Sequence, residues 1–159
     1  MDRKELALKL HHSKFNCCQS VACAFCHVMG QDPETTFKQA EAFGFGMGAM
    51  ETCGAVSGMT MLAGMIRPAS DPTVKDWRTA NYALVQEMAG EFRDINGSIV
   101  CKELLGLVPM GSCSPAPKES PEPSDRTPEY YKKRPCEELV GISARIVGEK
   151  IATSLRSSQ

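Results

Sequence analysis

Cys53, Cys101 and Cys136 each fall in the first turn of a predicted helix, with Thr52, Ser98 and Pro135 near the cap positions before them. Unpaired backbone N–H groups point at such positions, and together with the helix dipole they stabilise a thiolate and lower the thiol pKa. A thiolate is both a nucleophile and a soft metal ligand. Cys17 is expected inside the first helix instead, on its core stripe, from which it can face the other three. The residues around Cys53 are small. Gly54 and Gly58 sit beside its face, and Ser57, Thr60 and Gly64 follow at i+4, i+7 and i+11, so another helix or a cofactor can approach closely. Each such glycine costs a helix about 1 kcal/mol against alanine, so the spacing predicts that the room is used.

The remaining sulfurs and histidines carry weaker signals. Cys18 adjoins Cys17 but is turned about 100° away on a helix, toward Phe25 and Met29, whereas Cys17 shares the stripe of Leu10 and Val21. Cys23 and Cys26 form a CxxC, and Cys23 with His27 could hold one side of a metal. Their face also bears His12, Asn16 and Gln19 and meets no second ligand pair, so no separate zinc site is expected there. Cys113 lies in a proline-rich stretch, exposed to adventitious oxidation. Met29, Met59, Met61, Met65 and Met88 occupy helical positions that flexible apolar side chains ordinarily fill, which favours packing over copper binding. The run GFGMG (44–48) follows a helix rather than a strand and lacks the later glycine of a dinucleotide fingerprint. No nucleophile, base and orienting acid stand at recognisable spacing.

These residues need elements to position them, and the apolar periodicity is helical almost throughout. Leu6, Leu10, Cys17, Val21, Ala24 and Val28 share one stripe over about 3–29. Asp32 and Pro33 start a short helix that ends before Gly44, and a helix from Ala49 to Ile66 follows the glycine-rich run. Asp71-Pro72 opens the longest amphipathic helix, with Val74, Trp77, Leu84, Val85, Met88, Phe92 and Ile95 on one side and a stop at Asn96-Gly97. A short helix over about 98–106 holds Cys101. Seven of the ten prolines lie from Pro109 to Pro135, so about 107–134 reads as an extended surface excursion that cannot propagate a helix. Pro135 starts a last helix to about Leu155, with Leu139, Val140, Ile142, Ile146, Val147 and Ile151 buried. The expected fold is an all-α bundle of five or six helices, a single domain over 1–159 with the proline-rich loop within it.

A chain of 159 residues can bury on the order of 70% of its unfolded surface without crosslinks. Its net charge of −1, with acids and bases interspersed, offers no basic field for nucleic acid. The first sixteen residues show no apolar signal-peptide core and no stretch approaches a membrane span, which points to the cytoplasm. In that reducing compartment eight cysteines are explained by metal or redox chemistry rather than by disulfides.

The blocks FNCCQSV (Cys17), GFGMGAMETCGAVSGM (Cys53), INGSIVCKELLG (Cys101) and PCEELVGISARIV (Cys136) occur in the order of the C-GCAxxG-C-C family of redox-active proteins, which the chain resembles over most of its length. The central block reads Cys53-Gly54-Ala55 where the family's name has Gly-Cys-Ala. The resemblance implies a helical domain in which Cys17, Cys53, Cys101 and Cys136 bind a prosthetic group, an iron–sulfur cluster, with 2Fe–2S favoured over 4Fe–4S on the resemblance alone. Gly46 and Gly48 would then aim backbone N–H groups at the cluster, with Thr52 and Gly54 beside Cys53. It further implies electron exchange with a redox partner protein, and a homodimer is left open. Two other functions stay open: a thiol oxidoreductase for disulfides or persulfides with Cys53 as low-pKa nucleophile, and a structural zinc protein.

Overall fold

The computed structural model describes residues 2–117 and 120–157. Six helices of eight or more residues build the bundle: α1 (Arg3–His12), α2 (Cys17–Phe25), α3 (Pro33–Ala40), α4 (Gly54–Ile66), α5 (Lys75–Asn96) and, last in the chain, α8 (Cys136–Ser157). Two short ones, α6 (Cys101–Leu104) and α7 (Pro128–Lys133), lie between α5 and α8. No strand forms among the described residues, only an isolated antiparallel bridge between Thr52 and Val100. The all-α expectation holds.

The helix expected over 3–29 is two helices. Lys14 turns the chain with φ 72°, and Asn16 restarts it through a capping box: its side chain accepts from the Gln19 amide at 2.9 Å, and the Gln19 side chain accepts from the Asn16 amide at 3.0 Å. Cys17 is therefore the first residue of α2, not an interior one. The turn leaves the apolar stripe running through both pieces, which is why periodicity alone misses it. Val28, counted in that stripe, lies past the end of α2 and is 47% exposed.

α2 packs against α1, α3, α4 and α8. Its closest fit is to α4, and here the two glycines find their use. A Cβ on Gly58 would stand 2.9 Å from Val21 Cβ, and one on Gly54 would stand 3.1 Å from Cys17 Cβ and 2.9 Å from the Phe43 carbonyl oxygen. The room beside Cys53 is filled by α2, which brings Cys17 up against it. The rest of the small-residue stripe is open: Thr60 and Gly64 are exposed.

α4 begins at Gly54, five residues later than the sequence suggests. Phe45, Gly46, Met47, Gly48 and Met50 all have φ between 53° and 66°, a left-handed conformation that strains the three non-glycine residues and cannot continue into a helix. α5 ends as expected, with Gly97 at φ 87° donating to the Arg93 carbonyl at 2.7 Å. Only its middle packs. Met88 and Phe92 are buried, each contributing about 1.5–3 kcal/mol, while Trp77 and Ile95 stay 40% and 49% exposed. On α8, Leu139, Val140, Ile146 and Val147 enter the core with Ile142 and Ile151 at its margin.

The proline-rich region departs most from expectation. Thr127 caps α7 by accepting from the Tyr130 amide at 3.2 Å, with Pro128 at the first helical position. The segment folds back: the Tyr131 hydroxyl donates to the His11 carbonyl at 3.3 Å, and Arg126 Nη2 donates to the Phe15 carbonyl at 3.4 Å. Its lid covers His11. That imidazole is fully buried, edge-on to Tyr131 at 5.7 Å, and neither ring nitrogen has a well-aligned hydrogen-bond partner among the described residues. Burial, then the charges of Arg126 and His12, push its pKa down to about 4.

The folded state thus refuses a proton that the unfolded chain accepts from pH 6.5 downward. Stability contributed by neutral His11 is present above pH 6.5 and is lost as pH falls toward 4, by about 3 kcal/mol at most. Urea unfolding at pH 7 and pH 4.5 should show a larger acid loss in the native protein than in His11→Leu; parallel losses refute the assignment. No helix among the described residues is long and apolar enough to cross a membrane.

Candidate functional site

All four singled-out cysteines begin helices. Cys17, Cys101 and Cys136 are the first residues of α2, α6 and α8, and Cys53 is the N-cap of α4. The pattern expected of three extends to the fourth once the α1–α2 break is recognised.

Cys53 and Cys101 are placed by the bridge. The Cys53 amide donates to the Ile99 carbonyl at 2.8 Å and the Cys101 amide to the Glu51 carbonyl at 2.6 Å, so Thr52 and Val100 oppose each other as a non-hydrogen-bonded pair. Alternation puts both cysteines on the other face, diagonal to one another, a relation that spans about 7–8 Å between Cα atoms in regular pairing. Gly46 supports this corner. It is buried, and a Cβ there would lie 2.7 Å from Cys101 Cβ and 2.6 Å from the Glu51 amide nitrogen. On the outer side, the buried Lys102 ammonium pairs with Glu51 at 3.0 Å, and Ser98 donates to the buried Glu103 carboxylate.

Cys17 and Cys136 meet directly, thiol to thiol, and Cys17 also feels the charges of Cys53 and Cys101. The hydrogen bond from Cys17 lowers Cys136 to about 7, helped by Arg134, Arg126 and its own amide at the head of α8; the same contact, with burial, raises Cys17. Cys53 behaves otherwise. Burial pushes it up to about 11, opposed by the Ala55 and Val56 amides, which form no closed cap hydrogen bond. Cys53 is thus raised where a lowered thiol was expected, because its helix-terminal amides do not offset the loss of water.

Arg126 and Arg134 come from the segment expected to be a mere excursion. Both guanidinium groups lie over the Tyr130 ring at 4.7 Å, and Arg134 also reaches Phe45 at 5.7 Å. Tyr130 itself senses Cys136 and Cys17. The sequence held one signal for this unit, Thr127-Pro128 as cap and first helical residue, and none for where it docks. In metal-free protein, Cys136 alkylation should rise with pH through a midpoint near 7. Removing a neighbouring cation destabilises the thiolate, so Arg134→Gln moves that midpoint upward and slows the reaction several-fold at pH 7; an unmoved profile removes Arg134 from the site.

The other sequence candidates fall elsewhere. Thr52 is half-buried in the bridge, Gly54 is closed against α2, and Gly48 stands at an exposed turn with open space around it. Cys18 is fully buried away from the contact pair, its sulfur 3.6 Å from Met61 Sδ and packed with Ala22 and Ala40 rather than with Phe25 and Met29. Cys23 and Cys26 are buried, not on a polar face, and Cys113 is exposed. None of the eight cysteines is in a disulfide. Among the described residues, no three His, Cys, Asp or Glu side chains are grouped so as to hold a single metal ion.

A family model described as "Putative redox-active protein (C_GCAxxG_C_C)" matches residues 15–150. No curated protein and no solved structure matches the chain.

Proposed function

The chain belongs to the C_GCAxxG_C_C family, and from that premise we propose that it is an electron-transfer protein whose Cys17, Cys53, Cys101 and Cys136 hold an iron–sulfur cluster, 2Fe–2S rather than 4Fe–4S. One observation supports the proposal: all four cysteines stand at helix N-termini, and Cys17 is near enough to share a hydrogen bond with Cys136 and to sense charge on Cys53 and Cys101. The donor set fits such a group, since four soft sulfurs are its usual ligands and Cys136 is already favoured as a thiolate. A cluster bound there would supply one-electron chemistry.

The chain's own residues do the rest. Helix-terminal amides and the Arg126 and Arg134 guanidinium groups offset negative charge on sulfur, while the buried positions of Cys53, Cys101 and Cys136 limit access of water. We propose a cytoplasmic location, since eight cysteines in a chain long enough to fold without crosslinks suit metal or redox chemistry in a reducing compartment, and infer a partner protein as electron source or sink. Anaerobic purification followed by iron, sulfide and zinc analysis tests the proposal. Visible charge-transfer absorption with about two iron and two sulfide per chain supports it; four of each changes the nuclearity, and colourless protein with stoichiometric zinc replaces it with a structural zinc site.

A second function is favoured by a specific feature, the lowered Cys136 thiol in contact with Cys17. In a thiol oxidoreductase, Cys136 rather than Cys53 would attack the sulfur of a disulfide or persulfide, and Cys17 would resolve the product. Anaerobically purified protein that carries no iron, sulfide or zinc and reduces a disulfide with loss of that activity in Cys136→Ser distinguishes it.

A further inference from the structure

The end of α2 carries a second pair of sulfurs that the four-cysteine site does not use. Cys23 lies in the last turn of α2, and Cys26 continues the helical path with φ −52° and ψ −45°, its amide directed at the Cys23 carbonyl at 3.4 Å. Helical geometry sets their Cα atoms roughly 5 Å apart, within the span a disulfide bridges. Both are buried, yet both line a cleft of about 400 Å³ between α1, α2 and α3, together with Leu6, Phe15, His27 and Phe37. The rings of Phe15 and Phe37 meet edge to face at 4.9 Å and make one wall apolar. None of Cys17, Cys53, Cys101 and Cys136 lines this cleft. Cys18 lies between the two sites, near enough for charge to act between it and both Cys53 and Cys23.

We propose that Cys23 and Cys26 are a separate dithiol site that reduces disulfides bearing an apolar group. Burial and the neighbouring Cys26 raise Cys23 to about 11, so its thiol rests protonated and a base must assist it. His27 on the same cleft accepts the Cys23 proton. The Cys23 sulfur bonds to one sulfur of RSSR, the S–S bond breaks, and the first thiolate leaves with that proton. Cys26 then attacks the Cys23 sulfur and expels the second thiolate, which takes the Cys26 proton. Two electrons and two protons pass from the pair to RSSR, giving two RSH and a Cys23–Cys26 disulfide. A dithiol reductant returns the pair in the assay.

The test uses the full chain, purified anaerobically, with 4,4′-dithiodipyridine as the aromatic disulfide and glutathione disulfide as the polar one. Peptide mass spectrometry after quenching reads residues 23 and 26. An internal disulfide is expected, with a rate ratio between the aromatic and the polar reagent at least tenfold above the ratio that free dithiothreitol shows with the same two reagents. Cys26→Ser should instead trap a pyridylthio adduct on Cys23, and Phe37→Ala should narrow the preference between reagents. Separate adducts on both cysteines, no reaction at either, or a rate ratio no greater than that of free dithiothreitol overturns the proposal. Iron and sulfide are measured on the same samples, so failure here is told apart from failure of the cluster: either can occur without the other.

Discussion

If the proposed two-iron cluster is bound, Cys17→Ala should lower the iron content from about two per chain to near none, whereas Cys18→Ala, one residue on, should keep it. The pair is adjacent in sequence but separated by the start of a helix. Cys17 opens α2 with its thiol on Cys136 and its charge felt with Cys53 and Cys101; Cys18 points the other way into Met61, Ala22 and Ala40. Exchanging their roles means turning α2 by about 100°. That rotation breaks the Asn16–Gln19 capping box and lifts Val21 out of the notch at Gly58. Cys18→Ala therefore costs packing only, about 1 kcal/mol for a buried group of this size, and iron content stays at the native value. Iron retained by Cys17→Ala and lost by Cys18→Ala would reverse the assignment.

Gly46→Ala destabilises the protein by about 3 kcal/mol or more, and Gly48→Ala by only about 1 kcal/mol. Both glycines have left-handed φ, 58° and 66°, so both substitutions incur the same backbone cost. They differ in surroundings. A Cβ at Gly48 meets nothing within 4 Å, while one at Gly46 collides with backbone at Glu51 and with Cys101 Cβ. Backbone at Glu51 cannot yield without shifting the Thr52–Val100 bridge that carries Cys53 and Cys101, so Gly46→Ala should also weaken any binding of the proposed cluster. Urea unfolding of the two variants side by side decides the matter: equal costs would mean the crowding at Gly46 is absorbed without consequence.

What the sequence disclosed follows from which forces are local. Pro135 and Gly97 announce the start of α8 and the end of α5 because proline and a left-handed glycine act on their own few residues. The break before Cys17 was equally local, written in Asn16 and Gln19, but an apolar stripe passing through it masks the cap. Phe45, Met47 and Met50 adopt a conformation their side chains disfavour, and no pattern of residues in that run signals it. Arg126, Tyr130 and Arg134 belong to the site only because a segment more than a hundred residues from Cys17 folds back over α1, a contact that spacing along the chain does not encode.

Cys17 and Cys136 touch in space across 119 intervening steps of sequence, the difference of their numbers. On the ribosome, therefore, the N-terminal helices emerge and can associate while the last thiol is still to be polymerised. A group held by all four of the proposed cysteines is thus completed only after α8 has been made and has docked, with Cys17, Cys53 and Cys101 synthesised earlier.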